Sequence, residues 1–268
     1  MFNLLRMDLY RVKRSKSVYV CAGFLLLTTV LLFGLMWLMS TPRGQEIALR
    51  IGMVTSDETI ELDSILKGVD SLIFFRQTCL DGGAYNAALG IWAMLFVCAD
   101  FQGGFIKNIM ALHRNRWNYI VSKVMTAWIV NFCYLVIHLL FTLLLNRLFG
   151  DLVPYAGWKD VLFYLSWVWF VTTAFAAMII CICVLTRSVA VGTAAAVLFG
   201  SGIIVMTLYG VLGMFHIGKW LEYSIYLTCG MGPGKYTSAK DLYVYAVGFG
   251  FLILYTVIAG IVLNKKDI

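Results

Sequence analysis

Charge is scarce in this chain of 268 residues: Asp, Glu, Lys and Arg make up 13% of it, against about 25% in a soluble domain. Hydrophobic residues take 61% and mean hydropathy is +0.86, which excludes a soluble globular fold. Histidine is nearly absent. His113, His138 and His216 are spread along the chain and no HExxH occurs, so no metal centre is expected. A phosphate-binding GxxxxGK[ST] loop is also missing; Gly230 to Lys235 has the wrong spacing and is followed by Tyr236, which excludes an ATPase site of the chain's own. Gly200-Ser201-Gly202 lacks the glycine two positions before the serine that an intramembrane serine protease needs, since that residue is Phe199. No catalytic residue is expected, and Ser201 reads as a small packing residue.

What remains is apolar length. Six segments are long enough, or nearly so, to cross about 30 Å of hydrocarbon at about 1.5 Å per helical residue: Ser17 to Met39, Ala84 to Ala99, Val124 to Leu145, Val161 to Leu185, Val189 to Met214 and Leu242 to Leu263. The fold class is therefore all-α, a polytopic membrane protein with six transmembrane helices in a single domain over residues 1–268. The second segment is short and holds Asn86, so its outer end is expected to draw on Asp70 to Gly83. The first is too long for a signal core and no small-residue cleavage site follows it, so it reads as a retained anchor.

Orientation follows from the basic residues. Arg6, Arg11, Lys13, Arg14 and Lys16 precede the first span. Lys107, Arg114, Arg116 and Lys123 follow the second, Arg187 the fourth, and Lys265 and Lys266 the sixth, facing only Asp8, Asp100 and Asp267. Short inner segments collect Lys and Arg, so both termini are expected in the cytoplasm. The net charge of +7 is then an inner-leaflet feature that draws membrane lipids and gives no reason to invoke nucleic acid. Outside, residues 40–83 form an acidic lobe whose apolar residues suggest one or two short helices. Residues 215–241 carry an apolar-aromatic run, Trp220 to Leu227, able to dip into the bilayer and return.

Two short elements stand out at the inner side. Residues 1–16 place Phe2, Leu5, Leu9 and Val12 on one helical face with bases around the rest, as in an elbow helix lying on the inner leaflet. Residues 100–123 form a basic connector clamped between two spans. Asp100 can cap a helix start, Gly103 and Gly104 permit a tight turn, and Phe105, Ile106, Ile109 and Met110 share one face while Lys107, Asn108 and His113 face away. Such a stub can dock in a groove on a soluble motor, or else lie on lipid headgroups.

Within the spans no Asp, Glu, Lys or Arg stands away from the ends, which argues against ion coupling. Gly192, Ala196 and Gly200 recur every four residues and make the fifth span a close-packing surface, within the subunit or between two copies. Asn131 and His138 in the third span are candidate substrate contacts, with an interhelical hydrogen bond as the alternative. Of the seven cysteines only Cys79 and Cys229 are expected outside, where they could bridge the lobe to the last outer loop or stay as free thiols.

The basic start MFNLLRMDLYRVKRSKS, the lobe after the first span, the D-F-x-x-G-F-I-K-N-I connector and six spans in this length together resemble the permease subunit of an ABC-2 type transporter. In particular they resemble the small permeases of Gram-positive bacteria that handle lantibiotic, bacitracin-type or amphipathic peptides. The resemblance implies a coupling helix at Gly104 to Leu112, with Gly104, Phe105, Ile106, Lys107, Asn108, Ile109 and Met110 as ATPase-coupling residues. It implies two permeases, identical or not, assembled with cytoplasmic ABC ATPase subunits that hold the ATP and Mg, in a bacterial cell membrane. Export of an amphipathic or antimicrobial peptide is the expected function. The alternatives are export of a lipid, polysaccharide or drug, or a scaffold or sensory anchor that moves nothing.

Overall fold

Apolar runs uninterrupted by proline grow into long helices, and in a bilayer a helix satisfies its own backbone. The computed structural model describes residues 2–41, 43, 46, 47, 50, 69–81, 83–112, 116–215 and 218–265, and it is helical with no strand among them. Helix α1 (Phe2–Arg14) stops at Ser15, whose extended backbone turns the chain into α2 (Lys16–Ser40). After the lobe, Asp70 accepts hydrogen bonds from the backbone amides of Leu72 and Ile73 and starts α3 (Ser71–Arg76), which runs into a π-helical turn at Gln77–Asp81. Then follow α4 (Ala84–Gln102), α5 (Phe105–Leu112), α6 (Trp117–Leu148) and α7 (Trp158–Thr186). The chain continues through α8 (Val189–Gly200) and α9 (Ile203–Met214), a 3₁₀ turn at Gly218–Tyr223, α10 (Ile225–Met231) and α11 (Tyr243–Lys265).

Five of these helices are long and apolar enough to cross a membrane, and the bent pair α8 and α9 makes up to six spans. The centre of the bundle is α7, 72% buried over its most apolar stretch, while α2 and α11 are each 22% buried and form the rim. Around α7 pack α4, α6, α8, α10 and α11. One end of the bundle carries α1 and α5 and is called here the connector end; the other carries α3 and α10 and is the lobe end. At the lobe end Phe33, Phe74, Leu145 and Val153 form a smaller core, with the Phe33 and Phe74 rings edge to face at 4.3 Å.

Several expectations change. The second span does not draw on Asp70 to Gly83: that stretch folds as separate short helices, and α4 instead continues through Asp100 to Gln102. The fifth span is not continuous, because it bends by 54° at Ser201 and Gly202. Gly202 takes φ +74°, a conformation that side chains resist, and an added Cβ would overlap the Tyr226 ring, so only glycine fits. In the last loop Trp220 is 80% exposed, while Ile225, Leu227 and Cys229 are buried; the inward-turning piece is α10, not the whole run from Trp220. Of the lobe's expected short helices, α3 takes in Leu72 and Ile73, while Ile51 to Leu66 fall on residues 51–68, outside the described residues, as do His113, Arg114, His216 and Lys266.

Candidate functional site

At the connector end α4 runs on past its apolar stretch, and α6 begins before its own. Seven residues at about 1.5 Å each put Trp117 to Lys123 roughly 10 Å beyond the apolar run. Asp100 and Lys123 therefore face each other where two helices leave the membrane-spanning layer. Asp100 caps no helix start; it lies inside α4 and is fully buried. Its Oδ1 accepts from Arg11 Nη2 at 2.6 Å, and its Oδ2 accepts from Tyr119 Oη at 3.0 Å and from Lys123 Nζ at 2.7 Å. The same Lys123 Nζ donates to Asp8 Oδ1 at 2.7 Å, and Ser122 Oγ donates to Asp8 Oδ2 at 2.7 Å.

Two acids and two bases thus close into a neutral cluster drawn from α1, α4 and α6. Lys123, Asp8 and Asp100 are nearly or wholly excluded from solvent. Burying charge costs several kcal/mol per ion unless each one is paired and hydrogen-bonded, and here each is. The Lys123 ammonium also sits 3.9 Å from the centre of the Phe96 ring. The Arg11 guanidinium stacks 4.7 Å from the centre of the Phe105 ring, the first residue of α5. Through these contacts the elbow helix, both spans flanking the connector and the connector itself become one unit. Arg116 adds another tie by donating from Nη1 to the Leu263 carbonyl of α11 at 2.9 Å.

The turn into α5 rests on Gly104, at φ +65°, where a side chain would be strained. Ile106 and Ile109 then point into the chain's own core, 2% and 5% exposed, and Phe105 is half-buried, whereas Lys107 is exposed. The sequence reading aimed this apolar face at a partner. Instead it is spent on the membrane domain, because the short helix is held down by the spans on either side. The side chains of Asn108 and Met110 lie outside the described residues.

Asn131 and His138 are both almost fully buried. Asn131 Nδ2 donates to Thr172 Oγ1 at 2.8 Å and Thr173 Oγ1 at 2.9 Å, while its Oδ1 accepts from Tyr85 Oη at 2.6 Å. His138 Nε2 and Thr29 Oγ1 share a hydrogen bond of 3.0 Å, and the ring meets Phe75 edge to face. Both residues join helices to one another, the alternative to substrate contact. The stripe Gly192, Ala196 and Gly200 likewise packs within the chain: an added Cβ at Gly200 would press on the Ala87 backbone, one at Gly192 on Met94 and Cys183, and Ala196 touches the place where a Gly90 side chain would go. A stripe already filled by α4 cannot also face a second copy, which removes it as a dimer interface.

Cys79 and Cys229 are free and buried, so no bridge joins the lobe to the last loop. Burial, opposed by Asn86 and Arg76, pushes the Cys229 thiol up to about 12, leaving it protonated at neutral pH. Among the described residues no group of three His, Cys, Asp or Glu is placed to hold a metal ion. The sequence reading passed over Asp8, Arg11, Tyr119, Ser122 and Lys123. Two signals were available: Asp8 sits midway between Leu4 and Val12 on the face of α1 that is in fact buried, and Lys123 directly abuts an apolar run.

Residues 83–202 match the family described as ABC-2 family transporter protein. The match spans α4 to α8 and ends at the bend, Gly202. It covers less than half of the chain, and the fold around it is all-helical among the described residues, with five helices, or up to six spans with the bent pair, long and apolar enough to cross a membrane. No curated protein matches the chain.

Proposed function

We propose that the chain is the membrane-spanning permease subunit of an ATP-driven exporter. In this reading it works with a second permease copy and two cytoplasmic ABC ATPase subunits that bind the ATP and Mg, in a bacterial cell membrane with the connector end facing the cytoplasm. The observation that carries the reading is the neutral charge cluster directly behind α5, joining α1, α4 and α6. A connector that only lay on headgroups would need no such brace. With Ile106 and Ile109 turned inward, the motor meets the outer face of α5 around Lys107. Closure of the ATPase dimer displaces α5, and the cluster passes that displacement to the two spans and the elbow helix as one body, opening a path between the paired permeases.

The cargo is an amphipathic or antimicrobial peptide. Spans free of mid-membrane charge, which carry exposed aromatic side chains such as Phe132 and Phe249, suit a ligand with one apolar face. The test is purification of the complex with its ATPase and reconstitution into vesicles. Lys107→Glu should leave the permease folded and inserted while reducing cargo-stimulated ATP turnover and export by about tenfold, one decade in rate. Wild-type export in that variant, or purification without any ATPase, overturns the reading.

A further inference from the structure

The bend in the fifth span has a cavity of about 150 Å³ beneath it. Its wall comes from five helices, with Phe175 of α7, Phe199 of α8, Val205 of α9, Tyr226 of α10, and Phe251 and Tyr255 of α11; Ser224 also lines it and no charged side chain does. Two of the helices that form it are the pair that breaks. α8 and α9 diverge by 54°, Gly202 is fixed in its turn by the Tyr226 ring, and α9 has no buried residue. A cavity of this size and character is the kind that stays free of water and accepts a benzene-sized apolar group. Leaving it vacant would forfeit the dispersion contacts of six ring or branched side chains.

The mouth of the cavity decides what fills it. Its lining residues Val205 and Phe251 lie on α9 and α11, helices that also carry exposed apolar side chains: Ile203 is 57%, Ile253 60% and Leu254 47% exposed. By length and composition α11 is a membrane span and α9 is half of a bent apolar pair that enters the bilayer, so this surface meets hydrocarbon. Phe175 and Tyr255 lie near the middle of their helices, at the depth of acyl chains and away from headgroups. We infer that the cavity is a binding site for the end of a membrane lipid's acyl chain, seated as a wedge between α9 and α11 at the bend. The site is independent of the transported cargo. Its occupancy favours the bent form of the fifth span, because straightening at Gly202 would move Phe199 and Val205 relative to one another and remove the space.

The full chain is reconstituted in vesicles of phosphatidylethanolamine and phosphatidylglycerol containing a phospholipid with a diazirine near one acyl terminus, photolysed, and mapped by peptide mass spectrometry. Adducts should concentrate on Phe199, Val205, Tyr226 and Tyr255, about tenfold above those on Ile253 and Leu254, which contact the same lipid only from outside. Val205→Trp fills the cavity from its mouth and should abolish that excess, while Ile253→Trp should leave it intact. Labelling no higher in the cavity than at Ile253 and Leu254 overturns the proposal. An excess that survives Val205→Trp, with the variant shown to be folded by an unchanged melting profile, overturns it as well. Transport is not read at any step, so failure here is separable from failure of the exporter assignment.

Discussion

The two ends of this bundle are held by different physics. At the connector end four charges and two hydroxyls pair with one another, with Arg11 Nη1 left at 3.8 Å from Asp8 without a hydrogen bond, and the helices α1, α4 and α6 are tied by contacts of 2.6 to 3.0 Å. At the lobe end the helices are short and interrupted. A π-helical turn follows α3, α8 breaks from α9, and the buried Tyr164 hydroxyl finds no hydrogen-bond partner among the described residues. Each such group costs about 1–3 kcal/mol in a buried site. The difference teaches where movement is cheap: the connector end must move as a block, while the lobe end can rearrange, since its polar groups have little to lose.

The sharpest way to break that contrast is to remove one charge from the block. Lys123→Met removes the cation shared by Asp8 and Asp100, leaving two buried carboxylates with Arg11 alone, at 3.8 Å from Asp8, so denaturant unfolding in detergent should show a loss of about 3–5 kcal/mol. Adding Asp8→Asn restores neutrality, with Asp100 still paired to Arg11, and should recover more than half of that loss. If the single variant unfolds like wild type, the cluster is not bearing on the fold.

Close packing between α8 and α4 comes next in size. Gly200→Leu drives a branched side chain onto the Ala87 backbone and should cost about 1–3 kcal/mol, whereas Gly210→Leu, which meets open space, should cost almost nothing. Subunit number in light scattering should not change with either. Dissociation of a dimer by Gly200→Leu without loss of stability would put the stripe back at an interface.

At the lobe end the sign reverses. Tyr164→Phe removes an unsatisfied hydroxyl and keeps the ring, and thermal unfolding should show a gain of about 1 kcal/mol. A loss would mean the hydroxyl has a partner in the membrane. The smallest effect concerns thiol chemistry. With Cys229 titrating at about 12, the reactive thiolate is absent below that value and appears only as pH rises through it. A maleimide reagent should leave both Cys79 and Cys229 unmodified in the folded protein at pH 7 and reach them after unfolding.

Much of this architecture is legible from apolar length alone, because a bilayer demands helices of a set size and the chain supplies them. The places where reading fails share one cause. Asp100, Lys123 and Asp8 count as loop charges when the chain is read segment by segment, and only the approach of α1 to α4 and α6 shows them to be mutual partners. Ile106 and Ile109 mark an apolar face correctly, yet periodicity cannot say whether the surface covering that face belongs to the same chain. Gly200 and Ser201 read as small packing residues, yet the break falls right after them: Gly200 does pack on α4, while Gly202 turns the chain.

The account rests on the charge cluster as the rigid link between α5 and the spans. The most direct test is cargo-stimulated ATP turnover by the reconstituted complex carrying Asp8→Asn together with Lys123→Met, a pair that stays charge-balanced. The account predicts that this complex assembles with its ATPase and keeps basal turnover but loses stimulation by cargo. Full stimulation, with export at the wild-type rate, would contradict it.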